Sequence, residues 1–289
     1  MSPNVRARSR GSLRLRAANL AWGTQTFVMG IVNVTPDSFS GDGRPDAGAA
    51  VAHALAQRDA GATIVDIGAE STRPGATPID AAEEMRRLVP VVRALRERDP
   101  ALAISVDTFK PEVYRAARAA GADLLNSIRG LDDELLAAAL ETDAPVVLMH
   151  NTRLALYEGD VTGEVLAWLS AAAERAVRAG LAPERVLLDP GIGFGKSAEQ
   201  NLRLLASLDR LVALGFPTLL GTSRKSTLGR LTGRAAAERV FGTAATVALA
   251  AAAGIDVVRV HDVAEMRDVA TVADAIVRGT RPAGWTDAR

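Results

Sequence analysis

Three observations predict an α/β chain closed into a (β/α)8 TIM barrel with a short N-terminal extension. First, eight short runs rich in Val, Ile and Leu recur along the 289 residues, separated by Ala-rich stretches of helical spacing. Second, those runs are near-continuous rather than alternating, as parallel strands buried on both faces require. Third, several helical stretches end in a glycine just before the next run, at Gly61, Gly121, Gly180, Gly215 and Gly254, where a helix C-cap belongs. Strand–helix–strand units in this number suit a barrel of typically about 250 residues. A doubly wound open sheet is the second choice.

In chain order the strands are predicted at 27–33, 63–68, 103–107, 123–128, 145–150, 185–189, 218–222 and 256–261. Helices are predicted at 47–60, 81–98, 111–120, 133–141, 163–179, 198–214 and 235–253. Residues 1–26 read as a tail with a short strand, 27–279 as one domain and 280–289 as a C-terminal tail. Neither an internal repeat nor a Pro/Ser-rich linker divides the chain.

Composition removes several classes of function. With 34 basic and 34 acidic residues the formal charge is zero, so bulk electrostatics gives no case for nucleic acid. Without cysteine there are no disulfides, thiolate zinc sites or cysteine nucleophiles. His53, His150 and His261 lie far apart and form no local metal motif. The longest apolar run, 244–254, is far short of the ~20 residues of a membrane span. Arg6, Arg8, Arg10, Arg14 and Arg16 precede any acid, but no apolar signal core accompanies them. The expectation is a soluble cytoplasmic enzyme.

The segment Asp189-Pro190-Gly191-Ile192-Gly193-Phe194-Gly195-Lys196 places a carboxylate at a strand end and then a loop able to approach a ligand closely. Taken alone it reads equally as a tight turn with a capping Asp. The other strand ends decide between the two. They carry Asn33, Asp66, Asp107, Asn126, Met149-His150, Thr222-Ser223-Arg224-Lys225 and Arg259-Val260-His261-Asp262, whereas the strands themselves are apolar. Each residue alone suits a cap or a satisfied buried group. A ring of them at the carboxyl end of a barrel, where active sites lie, needs internal partners, water or a polar ligand, and a ligand site is the expectation. Asp107, Asn126 and Asp189 suit the N–H and amino edge of a flat heterocycle. Lys225, Arg259, His261 and the 223–226 backbone suit a phosphate, and Asn33 and Asp37 offer hard oxygens for Mg2+ on a diphosphate. Displacement of diphosphate from a heterocyclic substrate follows; the heterocycle does not.

Asn33-Val34-Thr35-Pro36-Asp37-Ser38-Phe39-Ser40, Glu70 to Gly75, Asp107-Thr108, Asp189 to Lys196, Ser223 to Ser226 and Arg259 to Asp262 closely resemble, in order, the signatures of the dihydropteroate synthases. The resemblance implies a transferase of folate biosynthesis, a sulfonamide target. Such an enzyme condenses 6-hydroxymethyl-7,8-dihydropterin diphosphate with p-aminobenzoate, and domain 27–279 would be its pterin-binding barrel. It further implies that Asp107, Asn126, Met149, Asp189 and Lys225 hold the pterin, and that Asn33, Arg259 and His261 hold the diphosphate. Phe39, Thr72, Arg73, Pro74, Phe194 and Ser223 would line the aminobenzoate site, Asn33 and Asp37 would lie near Mg2+, and Asp189, Lys225 and Arg73 would be catalytic. Asp66 is expected to pair with Arg73 or orient a neighbour, and Lys196 to be a loop or surface charge.

The resemblance also implies a dissociative substitution at the pterin methylene and a homodimer, through late helices such as 235–253. The chain departs from the family pattern at Ser127, where Asp is usual, at Asn151-Thr152-Arg153 and at Ser40-Gly41-Asp42-Gly43. The alternatives are a methyltetrahydrofolate-binding methyltransferase barrel, a Schiff-base aldolase using Lys225, and a non-catalytic pterin-binding paralogue. The Ser-Arg-Lys loop weighs against the first, borohydride trapping with a carbonyl substrate separates the second, and intact Arg73, Lys225 and His261 weigh against the third.

Overall fold

A hairpin of β1 (Ser12–Leu15) and β2 (Ala18–Ala21) precedes eight parallel strands: β3 (Phe27–Asn33), β4 (Ile64–Gly68), β5 (Ala103–Asp107), β6 (Leu124–Ser127), β7 (Val146–Met149), β8 (Val186–Asp189), β9 (Leu219–Leu220) and β10 (Val257–Val260). The computed structural model describes residues 11–34, 47–71, 77–151, 157, 159–281 and 284–286. The sheet order is β8-β7-β6-β5-β4-β3-β10-β9. A parallel bridge between Leu188 and Thr218, with the Leu188 N–H donating to the Pro217 carbonyl at 2.8 Å, joins the two ends. The sheet is therefore a closed barrel, as predicted.

Around it lie α1 (Ala47–Asp59), α2 (Ala81–Arg98), α3 (Pro111–Ala120), α4 (Asp133–Glu141), α5 (Val161–Arg178), α6 (Ala198–Leu205), α7 (Leu208–Val212), α8 (Ser226–Thr232), α9 (Val240–Ala253) and α10 (Val263–Val277). All five glycines expected to cap helices have positive φ. The predicted helix 198–214 divides at Ser207, whose hydroxyl bonds back to the Arg203 carbonyl and competes with the backbone ladder. The predicted helix 235–253 opens with the 3-10 turn Ala236–Glu238 before α9 begins. Helices α8 and α10 were not predicted, although Val263, Met266, Ala270 and Ala273 of α10 form a buried face at helical spacing.

Alternation inside the barrel positions the site. Outward residues such as Val65, Ile67, Ile104, Val106, Leu148 and Leu188 pack under the helices. Inward residues at the strand starts, Phe27, Ile64, Ala103, Leu124, Val147, Leu187, Leu219 and Val257, form a second apolar cluster with Leu13, Leu15, Leu20 and Trp22 of the hairpin segment. The N-terminal segment is thus a plug for the bottom of the barrel. Trp22 donates its indole N–H to the Glu184 carbonyl at 3.0 Å and meets Phe27 edge-on, and burying such side chains contributes roughly 1.5–3 kcal/mol each. With its lower half filled by hydrocarbon, the barrel sends its inward polar residues to the opposite end.

Candidate active site

Strand register sets the polar end. Asn33 lies opposite Gly68, Gly68 opposite Asp107, and Asp107 opposite Asn126, so one row crosses four strands. Met149 lies opposite Asp189 on the next pair. The period of two along each strand turns these side chains inward.

Arg259 is the hub of this row. Its Nε donates to Asp66 Oδ2 at 2.6 Å and its Nη2 to Asp107 Oδ2 at 2.9 Å. Asn126 Nδ2 donates to the same Asp66 oxygen at 3.0 Å. Asp66 is completely buried, and Arg259 and Asn126 supply the hydrogen bonds that a buried carboxylate needs. Burial pushes the Asp107 carboxyl above its usual range, against the pull of Arg259. Of the two roles expected for Asp66, orienting neighbours is the one seen; Arg73 lies outside the described residues, as do Asp37, Phe39, Thr72 and Pro74. The Nη1 of Arg259 makes no hydrogen bond among the described residues, which leaves a donor for an anion.

The Asp189 loop faces this hub. Asp189 Oδ1 accepts the Gly191 N–H at 2.7 Å, and burial raises the carboxyl pKa, with Lys225 opposing the rise. Gly191 has φ 67°, and a Cβ there would stand 2.0 Å from the His150 carbonyl oxygen, so only glycine fits. Gly193 has φ 82° and lies against the Lys225 side chain. Lys225 donates to the Ile192 carbonyl and holds its ammonium 4.6 Å from the centre of the Phe194 ring, a cation–π contact. Burial brings the Lys225 pKa down to about 8, while Asp189 and Asp107 support the charged form.

Lys196 is a loop charge, one of its two expected readings, and is half-buried. Its Nζ donates to the carbonyls of His150, Gly191 and Phe194 at 3.2, 3.0 and 3.0 Å, clamping the glycine loop onto the end of β7. Burial lowers its pKa to about 7. His150 packs edge-on against Trp168 with ring centroids 5.1 Å apart, and burial with the nearby Lys196 lowers its pKa to about 4. Its side chain thus belongs to the layer beneath α5.

On the anion side, a hydrogen bond of 2.9 Å joins Ser223 Oγ and His261 Nδ1, and the His261 N–H donates to the same Ser223 oxygen at 3.1 Å. One hydroxyl thus meets both the ring and the backbone of His261 and fixes the orientation of the imidazole. Arg224, at φ 58°, pairs with Asp262 and ties the seventh loop to the eighth. Sequence reasoning left out Lys110, whose ammonium lies 2.6 Å from both Glu70 and Glu84 and anchors the start of the second loop. At Ser127, the hydroxyl donates to the Gly130 carbonyl and closes the turn after β6. Asn151 follows β7, and Thr152 and Arg153 lie outside the described residues.

The arrangement offers a carboxylate and amide floor, a cation above it and an anion corner at Ser223, His261 and Arg259. A family model described as "Pterin binding enzyme" matches residues 29–261. A dihydropteroate synthase of Synechocystis sp. is 46% identical over 267 residues, spanning 89% of this chain and 92% of that protein. Two structures of the Xanthomonas albilineans dihydropteroate synthase superpose closely. The one with 4-aminobenzoic acid has TM-score 0.87 and 48% identity over 92% of this chain and 98% of its own. The one with 7,8-dihydropteroate has TM-score 0.83 and 45% identity over 91% and 98%. A floor of carboxylate and amide groups beside a cluster of cationic donors, in a barrel matched along nearly its whole length, has one consistent reading: the chain belongs to the dihydropteroate synthases.

Proposed function

We propose that this dihydropteroate synthase condenses 6-hydroxymethyl-7,8-dihydropterin diphosphate with p-aminobenzoate, releasing diphosphate, through a division of labour between its floor and its anion corner. The single observation that carries the reading is the Asp66–Arg259–Asp107 bridge beside Asn126, with Asp189 and Lys225 facing it. Asp107, Asn126 and Asp189 take the donors of the pterin edge, Met149 packs on the ring, and Lys225 donates to it. Arg259 and His261, with Asn33, take the diphosphate. Ser223 and Phe194 line the aminobenzoate side together with Phe39, Thr72, Arg73 and Pro74, and that side is where a sulfonamide would compete.

The C–O bond to diphosphate breaks first, its electron pair leaving with the diphosphate. The aniline nitrogen then attacks the pterin methylene cation and sheds a proton. A neutral arylamine attacking a cation requires neither a strong base nor a covalent nucleophile. The negative charge of Asp189 favours the cationic ring, while the charges of Lys225 and Arg259 favour the departing anion. Preorganised groups of this kind are worth roughly 3–4 kcal/mol each.

Asn33 brings an amide oxygen to the strand end, and the described residues hold no cluster of three or more metal-ligating side chains. That amide oxygen, with Asp37, would hold an Mg2+ ion on the diphosphate oxygens, where it would neutralise leaving-group charge when bound. The homodimer has support on α9 and α10, where Phe241, Leu249, Val272 and Ile276 are exposed at 84%, 61%, 61% and 77%. An apolar depression of about 500 Å³ lies on that face, and such patches mark interfaces. No helix among the described residues is long and apolar enough to cross a membrane. The test is to mix the pterin diphosphate, p-aminobenzoate and Mg2+ and follow dihydropteroate and diphosphate. Release that depends on the arylamine is expected; no release would sink the reading.

A further inference from the structure

The barrel end opposite the active site carries a second concentration of charge that the synthase reaction does not use. Around a cavity of about 230 Å³ stand Arg14, Arg16, Arg118 and Arg185, with Asp123 the sole carboxylate and Leu15 completing the wall. The formal charge of the chain is zero, so this excess is local.

Asp123 does not neutralise it. Its Oδ1 accepts from Arg16 Nε at 2.7 Å, and its Oδ2 accepts from Arg96 Nη2 at 2.7 Å and from the Ile104 N–H at 3.0 Å. Arg118 stands 3.9 Å from it and directs its own donors to the Ala122 and Thr142 carbonyls. Among the described residues Arg185 pairs only with Asp143, whose side chain is 81% exposed. Arg14 is exposed and has no carboxylate partner among the described residues; its Nε reaches the Arg16 carbonyl at a long 3.4 Å. The terminal nitrogens of Arg14 and Arg16 make no hydrogen bonds among the described residues. In sequence, Arg6, Arg8 and Arg10 lead directly into this hairpin.

We infer that this pole of the barrel is a binding site for a small polyphosphate anion, taken between Arg14, Arg16, Arg118 and Arg185. Guanidinium groups present planar pairs of donors that match phosphate oxygens. A concave pocket of this volume suits a short phosphate chain better than the extended backbone of a nucleic acid. The chain could be free inorganic polyphosphate or the phosphate tail of a nucleotide. The catalytic residues lie at the other end of the barrel, so the two sites are independent.

The test is calorimetric titration at low salt with inorganic tripolyphosphate and, separately, with ATP, using the wild type and Arg14→Ala/Arg185→Ala. A binding component present in the wild type should weaken at least tenfold in the double variant, with turnover unchanged. Equal loss for both probes identifies the phosphate chain as the ligand, and loss confined to ATP identifies a nucleotide. Should the double variant fail to fold, Arg14→Gln alone, at an exposed residue with no carboxylate partner, should weaken the component about threefold. Superposable titrations of wild type and folded variants with both probes would overturn the proposal.

Discussion

Replacing Asp66 by Asn removes one charge from the hub while keeping the shape of the side chain. The carboxylate lies 2.6 Å from Arg259 Nε, which places the charge centres roughly 4 Å apart, an attraction of about 4 kcal/mol at an effective dielectric of 20. Two effects reduce the loss: Asp107 still holds Arg259, and the variant no longer pays for burying a carboxylate. Losing one partner of a buried pair typically costs about 3–5 kcal/mol, and Asn retains one acceptor, so we expect about 3 kcal/mol. At roughly 2–4 °C per kcal/mol for a chain this large, the melting temperature should fall by about 6–12 °C. Urea denaturation of Asp66→Asn, Arg259→Met and the double variant should give a coupling of at least about 2 kcal/mol. A single variant within about 0.5 kcal/mol of the wild type, the range of an ordinary surface change, would refute this account of the hub.

In the proposed reaction Lys225 works as its ammonium form, and burial lowers its pKa to about 8, so kcat/KM should fall as pH rises through that value. Lys225→Arg, charged throughout, should move that limb above pH 10; an unmoved limb would exclude Lys225 as its source. Stability has the opposite sign: the unfolded chain keeps this proton to about pH 10.4 and the folded one releases it near 8, so this group makes stability rise with pH between them. Lys196→Met takes one donor from each of three carbonyls, of which Gly191 keeps the Phe194 N–H, and should lower stability by about 2 kcal/mol in thermal melts; an unchanged melt would leave the clamp without energetic weight. Ile276→Asp, at a side chain 77% exposed, should convert a dimer to monomer in sedimentation with little change in melting of the monomeric barrel, and an unchanged sedimentation coefficient would move the interface elsewhere.

The barrel and the identity of its polar strand ends were legible because both depend on local pattern. Apolar runs that stop at Asp107, Asn126 and Asp189 announce where the core ends and a ligand begins. Partner choice was not legible. Asp66 and Arg259 are separated by 193 positions and meet only because β3 lies between β4 and β10, so no local pattern distinguishes that pairing from one with Arg73. The clamp that Lys196 makes from its loop was not legible because its acceptors are backbone carbonyls, which every sequence supplies alike. The hairpin appeared as a tail with one short strand because Leu13, Leu15 and Leu20 are too few to show a core until the barrel floor beneath them is closed.

The turnover of Asp189→Asn tests the central claim most directly, because Asp189 joins the glycine loop, the floor and Lys225. With the pterin diphosphate, p-aminobenzoate and Mg2+, removing its charge should lower kcat at least about tenfold, within the range that single preorganised groups supply. Lys225→Ala should behave alike. Turnover equal to that of the wild type in a folded Asp189→Asn enzyme would contradict the account.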